Sequence, residues 1–156
     1  MKFLFVIPNA LGKYPLPSTP HIGIAYVASL FMKNNHKVKI VDMRIYPSYE
    51  NLYRSINSFK PDMIGLTSMS KESKTAYKLI DNIKTKYPNI EIVIGGAHSS
   101  TMPEDILKET KADYILYGEA EYTALDLANE ISLEKINGLI WRDKDESIIK
   151  NPPRDY

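Results

Sequence analysis

The 156-residue chain carries five clusters whose residue types suit ligand binding, and each directly follows an apolar run. Gly95-Gly96-Ala97-His98 follows Ile90-Glu91-Ile92-Val93-Ile94. Two adjacent residues without Cβ let a bulky ligand lie against bare backbone. Thr67-Ser68-Met69-Ser70-Lys71 follows Met63 to Leu66 and offers hydroxyls. Asp42-Met43-Arg44-Ile45-Tyr46-Pro47 follows Val38 to Val41. Gly118-Glu119-Ala120-Glu121 follows Tyr114 to Tyr117. The first run, Phe3 to Ile7, leads into Pro8-Asn9-Ala10-Leu11-Gly12 and a stretch with Pro15, Pro17 and Pro20 that ends at His21 and Gly23. That connection is long for a β-α loop, and such loops are often functional. Ligands of open α/β sheets bind beyond the carboxyl ends of the strands. If the apolar runs are parallel strands, all these clusters share one binding edge.

Each cluster also has a purely structural explanation. Pro15 and Pro17 can stiffen a surface loop, Asp42 can close a turn, and Thr67, Ser68 and Ser70 can cap the next helix. His98 can cap a turn, and Gly118-Glu119 can be a turn and an acidic helix start. The functional reading gains weight from their common edge. Other chemistries are set aside. The chain has no Gly-x-x-x-x-Gly-Lys-Ser/Thr phosphate loop, no Gly-x-Gly-x-x-Gly in the first β-α turn and no Gly-x-Ser-x-Gly nucleophile elbow. His21, His36 and His98 are scattered, and no metal-ligand spacing appears. Thr67 and Ser68 stand where a phosphoacceptor Asp would close the third strand. The reading therefore names no catalytic and no metal-ligating residue.

The elements that must position this edge are legible in the periodicity. The apolar runs are continuous rather than alternating, which suits strands covered on both faces. Between them, Thr19 and Pro20 open a helix through Ile22, Ala25, Ala28 and Phe31 that is apolar nearly all round and so expected to be well buried. Ser48 caps a helix with Tyr49, Leu52, Tyr53, Ile56 and Phe59 on one face, stopped by Pro61. Ala76, Leu79, Ile80, Ile83 and Tyr87 form a third stripe. Thr101 or Met102 before Pro103 starts a short fourth helix, and Glu119 to Ile131 makes a fifth with Leu125, Ala128 and Ile131 on one side. Five β-α units in succession imply an α/β, doubly wound, flavodoxin-like (Rossmann-like) parallel sheet of five strands, for which we take the order 2-1-3-4-5. Ile136 to Arg142 and Ser147 to Ile149 read as a C-terminal β-hairpin around Asp143-Lys144-Asp145-Glu146. The tail from Asn151 to Tyr156 is linker-like.

Composition sets the bounds. The length suits one ordinary domain, and 44% apolar with 25% charged residues is normal for a globular fold. A net charge of +1 recommends neither nucleic acid nor a membrane surface as a partner. The chain has no Cys, which excludes disulfides, thiolate metal sites and iron–sulfur ligation within it. The opening Lys-Phe-Leu-Phe-Val-Ile is too short for a signal core or a span, and the expected location is the cytoplasm.

With these pieces assembled, the chain resembles the N-terminal cobalamin-binding domain of cobalamin-dependent radical-SAM enzymes, a family that includes the anaerobic magnesium-protoporphyrin IX monomethyl ester cyclases. The resemblance runs along essentially the whole chain. It rests on the proline-rich first loop entering His21-Ile22-Gly23, on Pro61-Asp62-Met63-Ile64-Gly65-Leu66-Thr67-Ser68, and on Ile94-Gly95-Gly96-Ala97-His98 with the later Pro103. It continues through Ala112-Asp113-Tyr114-Ile115-Leu116-Tyr117-Gly118-Glu119-Ala120-Glu121 and the closing Ile136 to Arg142 and Asn151-Pro152-Pro153. It implies a cobalamin-binding domain over 1–131, then a hairpin and linker over 132–156 leading to a radical-SAM barrel. Pro17, His21, Gly23, Asp42, Arg44, Thr67, Ser68, Met69, Ser70, Gly95, Gly96, His98, Pro103, Tyr117, Gly118, Glu119 and Glu121 are the implied cofactor-binding residues. The full protein is implied to use an iron–sulfur cluster and S-adenosylmethionine as well.

Two departures shape that expectation. Corrinoid domains of methionine synthase and the methylmalonyl mutases carry Asp-x-His-x-x-Gly after the second strand, and that His ligates cobalt. Here Asp42 is present, but Arg44 takes the His place and Pro47 the Gly place. Arg stays protonated and cannot ligate cobalt, so base-off cobalamin without a His ligand from this loop is expected. Without Cys, the chain cannot itself run radical-SAM chemistry. It is expected to be one domain of a longer enzyme that performs methyl transfer or an anaerobic oxidative cyclisation. The alternatives are a stand-alone corrinoid methyl carrier, or a flavodoxin-like interaction module whose strand-end loops are filled by their own side chains.

Overall fold

The computed structural model describes residues 1–9 and 19–155. Pro15 and Pro17 lie outside the described residues. The strands are β1 (Lys2–Ile7), β2 (Lys37–Asp42), β3 (Met63–Thr67), β4 (Glu91–Gly95), β5 (Tyr114–Leu116), β6 (Leu139–Arg142) and β7 (Ile148–Lys150). They form a seven-stranded sheet in the order β2-β1-β3-β4-β5-β6-β7. The first five are parallel, in the order 2-1-3-4-5 that the β-α succession suggests. The C-terminal hairpin adds to the same sheet, with β6 antiparallel to β5 and β7 antiparallel to β6.

The helices are α1 (Ile22–Lys33), α2 (Tyr49–Phe59), α3 (Ser73–Lys86), α4 (Ala97–Thr101), α5 (Pro103–Glu109) and α6 (Glu121–Ala128). Strand side chains alternate between two cores. Leu4 and Val6 of β1 pack under α2, α3 and α5 with Leu52, Ile56, Leu79, Ile80, Ile83 and Ile106. Phe3, Phe5 and Ile7 pack under α1 and α6 with Val27, Phe31, Ala124 and Ala128.

Several local expectations are corrected. α1 begins at Ile22 and its N-cap is His21, whose Nδ1 accepts from the Ile24 N–H, whereas Thr19 was expected to open it. The helix is not buried all round. Ile24, Val27, Ala28 and Phe31 face the core, while Ile22 and Tyr26 are each 67% exposed. One stripe already covers the sheet, and the remaining apolar side chains stay exposed. Gly95-Gly96 does not open a free loop, because Gly96 directly precedes the one-turn helix α4. α6 stops at Ala128, and Ile131 is exposed outside it. The hydroxyls of Thr67, Ser68 and Ser70 do not cap α3, whose N-cap Glu72 makes no side-chain cap bond. Ser48 does cap α2, accepting from Asn51 N–H.

The tail is anchored as far as Arg154. Asn151 is buried and donates from Nδ2 to the carbonyls of Leu133 at 2.6 Å and Ile136 at 2.8 Å. Gly138 N–H donates to Pro152 O at 2.8 Å. Arg154 binds the Thr123 hydroxyl at 3.0 Å and pairs with Asp126 on α6.

One glycine decides how the α1/α6 face is floored. A Cβ on Gly65, in the middle of β3, would lie 2.5 Å from Phe3 Cε1 and 3.2 Å from Phe5 Cδ1. The two rings need bare backbone beside them, and Phe31 closes on both edge-on, with centroids 4.8 and 5.6 Å away. Gly65→Ala therefore overpacks this floor and is expected to cost about 1–3 kcal/mol. Urea unfolding of the two proteins measures it, and an unchanged midpoint would refute the close contact.

Candidate functional site

A cavity of about 460 Å³ opens at the carboxyl edge of the sheet, between the first turns of α1 and α6. Its floor is Phe3, Phe5, Gly65, Val93, Gly95 and Leu116; its walls include Gly23, Ile24 and Val27 from α1, Ala124 from α6 and Ala120, the N-cap of α6. The two helices touch each other. Just past their last turns, His36 Nε2 and Asn129 Oδ1 lie 3.0 Å apart. Joined at these ends, they leave the space between their beginnings open. Small residues at 120 and 124 keep that space unfilled.

The mouth holds the polar groups: His21, Thr67, Ser100, Glu119 and Glu121. Among the described residues no Lys or Arg lines the cavity. Carboxylates only accept hydrogen bonds, so Glu119 and Glu121 suit a ligand that brings amide donors. A polyphosphate would meet charges of its own sign there.

The two glycines of the opening motif have different neighbours. Gly96 has φ +103°, and a Cβ there would come within 2.7 Å of Ser68 O and 2.9 Å of Thr67 Oγ1. Its bare backbone is used by the protein itself, letting Ser68 N–H reach Gly95 O at 2.9 Å and His98 N–H reach Ser68 O at 3.1 Å. Gly95 has only ordinary contacts around its missing side chain, the nearest being Leu116 Cβ at 3.6 Å, and Gly118 has none within 4 Å. The openness needed by a ligand is at Gly95 and Gly118. Ser100 Oγ joins their loops, accepting from Gly118 N–H at 3.0 Å.

Of the residues singled out by sequence, the cavity brings together His21, Gly23, Thr67, Gly95, Gly96, Gly118, Glu119 and Glu121. The others lie elsewhere. His98 is 8% exposed and packed against α3, its Nε2 2.8 Å from Tyr77 Oη and its Nδ1 3.4 Å from Ser70 Oγ. Ser68 is fully buried, Met69 is exposed on the rim, and Pro103 starts α5. Tyr117 donates from Oη to Asn151 O. Pro17 lies outside the described residues. Sequence reasoning missed Phe3, Phe5, Gly65, Val93, Ala120 and Ala124, because apolar strand and helix residues read as core. The signal that could have found them is a glycine interrupting the apolar run of β3 beside small residues at the start of α6.

Asp42 and Arg44 form a self-contained pair after β2. Arg44 Nε donates to Asp42 Oδ1 at 2.9 Å and its Nη2 to Oδ2 at 2.7 Å, while Arg44 N–H donates to Oδ1 at 3.0 Å. Among the described residues, no group of acidic and His side chains could hold a metal ion.

The known proteins most informative about this geometry are consistent with one another. The B12-binding domain model matches residues 11–128, and the chain belongs to that family. It is 29% identical, over 99% of its length, to an uncharacterized methyltransferase of Pyrococcus horikoshii, and 26% identical, over 97%, to the cytidylyl-2-hydroxyethylphosphonate methyltransferase of Streptomyces wedmorensis. It covers 35% and 33% of those two proteins, so it spans about a third of the curated relatives it matches. It superposes on the cobalamin-dependent S-adenosylmethionine radical enzyme OxsB, solved with aqua-cobalamin and S-adenosylmethionine, with a TM-score of 0.86 at 22% identity, covering 99% of this chain and 22% of that one. The radical S-adenosylmethionine methyltransferase TsrM of Kitasatospora setae gives 0.82 at 19% identity, covering 97% and 30%. The fold is thus that of the cobalamin-binding part of these enzymes.

The Asp42–Arg44 pair makes a pH prediction. Burial on its own would raise the Asp42 carboxyl, but the hydrogen bonds and charge of Arg44 outweigh it and hold the group below its ordinary value of 3.8. A carboxyl lowered in the folded state adds stability above its ordinary value and loses it as pH falls through the lowered one. Arg44→Met leaves burial as the main influence, so the Asp42 pKa should rise in a carboxyl NMR titration. The variant's stability deficit at pH 7 should shrink as the pH falls below the ordinary value. A deficit that is unchanged in acid would show that the pair contributes through packing alone.

Proposed function

We propose that this member of the B12-binding family holds base-off cobalamin for a radical-SAM enzyme, as one domain of a longer polypeptide working in the cytoplasm. The observation that carries the reading is the cavity between α1 and α6, opening at the carboxyl edge beside Gly95 within the span that matches the family. A cofactor-free interaction module would have its strand-end loops filled by their own side chains, and here they leave about 460 Å³ open. The apolar floor fits a flat aromatic base such as the one that ends cobalamin's nucleotide tail, and the acidic mouth fits the amide groups that fringe a corrin. Bound cobalamin supplies a cobalt centre that carries a methyl group or tunes a radical step.

The chain's own residues bind and orient. Gly95 and Gly118 give close approach, Thr67 and His21 offer polar groups at the mouth, and Glu119 and Glu121 accept from amides. Arg44, held by both oxygens of Asp42, supports a cobalt face with no protein ligand from the loop after β2. The carboxyl edge is rimmed by the exposed apolar residues Ile45, Tyr46, Met69, Met102 and Tyr122, with Ile22 and Tyr26 beside them on α1. Such a rim supports a macrocycle and a further protein layer over this edge. On this reading the layer is a radical-SAM barrel that binds an iron–sulfur cluster and S-adenosylmethionine, and the full enzyme performs methyl transfer or an oxidative cyclisation. Relatives named as methyltransferases and as anaerobic magnesium-protoporphyrin IX monomethyl ester cyclases support both chemistries. A stand-alone corrinoid carrier has less support, because carriers of that class usually supply a His from the loop where Arg44 stands.

The reading is tested by mixing the purified chain with hydroxocobalamin, desalting it and recording the visible spectrum. Retained corrinoid with a base-off spectrum is expected. Gly95→Val introduces a side chain whose Cβ the protein tolerates but whose branches enter the cavity. It should keep the fold by circular dichroism and lower retention at least tenfold. A parent chain that retains no corrinoid would overturn the proposal.

A further inference from the structure

Of the three histidines, only His21 lines the cavity. His98 is satisfied between Tyr77 and Ser70, and His36 between the N-terminus and Asn129. His21 has a special position, because it is both a wall of the cavity and the N-cap of α1. Its Nδ1 accepts the Ile24 N–H at 3.3 Å, and the same edge of the ring lies over Gly23. An Nδ1 that accepts carries no proton, so in the neutral ring the proton is on Nε2. Burial comes first in lowering the pKa of His21, followed by the Arg44 cation; the Asp42 and Glu72 carboxylates act the other way without reversing it. Both lowering influences favour the neutral ring. Its Nε2–H makes no hydrogen bond among the described residues. A protonated ring nitrogen has no lone pair to give a metal.

Resting on the cobalamin reading above, we propose that His21 is a hydrogen-bond donor of fixed tautomer that recognises the nucleotide tail of cobalamin through Nε2–H, and is not a cobalt ligand. The cavity selects the tail over the macrocycle by size, because a corrin with its amide fringe is far larger than about 460 Å³. The chemistry of the lining selects the acceptor. A phosphodiester carries a single charge, unlike a polyphosphate, and needs donors to hold it beside Glu119 and Glu121; with no Lys or Arg among the described lining residues the side-chain donors are His21 and the hydroxyls of Thr67 and Ser100. Ser100 is engaged by Gly118 N–H and lies 3.5 Å from Gly96 O. His21 is thus a positioning and specificity residue, and the cap that orders the first turn of α1 also sets which nitrogen is the donor.

The test compares cobalamin with cobinamide, which has the corrin but lacks the nucleotide, on the 156-residue chain. Two variants separate capping from donation. His21→Asn keeps a side-chain acceptor for the helix cap but loses the ring N–H, and His21→Ala loses both. The parent should bind cobalamin more tightly than cobinamide. His21→Asn should weaken cobalamin binding about tenfold, the loss of roughly one hydrogen bond to a charged group, and change cobinamide binding by less than about twofold. Melting curves should show His21→Asn folded and His21→Ala less stable. The electron paramagnetic resonance spectrum of the reduced, cobalt(II) complex should show no nitrogen superhyperfine splitting in parent or variant. Nitrogen splitting that disappears in His21→Asn would make His21 the cobalt ligand and overturn the proposal. Equal loss for cobalamin and cobinamide would also overturn it, placing the contact on the corrin. A parent that binds neither corrinoid would remove the cobalamin reading itself, and this proposal with it.

Discussion

The contact on which the site depends is between the Phe3 ring and the bare backbone of Gly65. With no Cβ at 65, the rings of Phe3 and Phe5 can spread sideways across β3 and floor the α1/α6 face with a broad aromatic surface. Phe31 then seals the later turns of α1 against both rings. The earlier turns carry Gly23, Ile24 and Val27 over the same floor, opposite Ala124 of α6 and its N-cap Ala120, and the gap between them is the cavity. A side chain at 65 would have to displace one of the rings. Protein interiors have little spare volume, so such a shift would be passed to α1 and to the mouth of the site. The shape of the cavity and the packing of this core are set here by the same few atoms.

Much of the architecture could be read from the chain because it rests on periodicity. Continuous apolar runs separated by one-faced helical stripes leave few alternatives to a doubly wound sheet. The order 2-1-3-4-5 was a choice among them, and the β-strand pairing supports it. The binding edge was legible for the same reason, since parallel strands place their carboxyl ends together. What could not be read is which atoms of that edge stay open. Gly95 and Gly96 look alike in sequence and both line the cavity, yet a Cβ on Gly96 would crowd Ser68 O at 2.7 Å while one on Gly95 would meet only ordinary contacts. His98 looked like a ligand contact and is instead held by Tyr77 from a helix some twenty residues away in sequence, a pairing set by tertiary packing. Thr19 looked like the better cap by propensity, but the imidazole of His21 reaches the Ile24 N–H first.

The carboxyl edge is divided chemically. Beyond β2 and β3 its charged groups face one another: Arg44 is held by Asp42, and Glu72 acts on both Arg44 and His21. Toward β4 and β5 the cavity is apolar below and carries Glu119 and Glu121 at its mouth. The paired half has little unmet demand for a ligand's charge, and the cavity has unmet apolar surface. Apolar burial contributes roughly 25 cal/mol per Å², so a flat apolar group placed in the cavity half would gain most of its affinity there. The polar groups at its mouth would then discriminate among such groups.

The same division fixes the two side chains that a corrinoid domain would be expected to turn toward cobalt. The side chain in the place of the usual cobalt-binding His is a guanidinium fixed by two hydrogen bonds to its neighbour. The imidazole nearest the cavity has its free lone pair committed to a helix cap. Neither can move to cobalt without breaking a contact that orders backbone, since Asp42 also accepts the Arg44 N–H and His21 also orders the first turn of α1. Both side chains are thus tied into the backbone around the carboxyl edge, which suits a member of the B12-binding family that holds its cofactor through many weaker contacts.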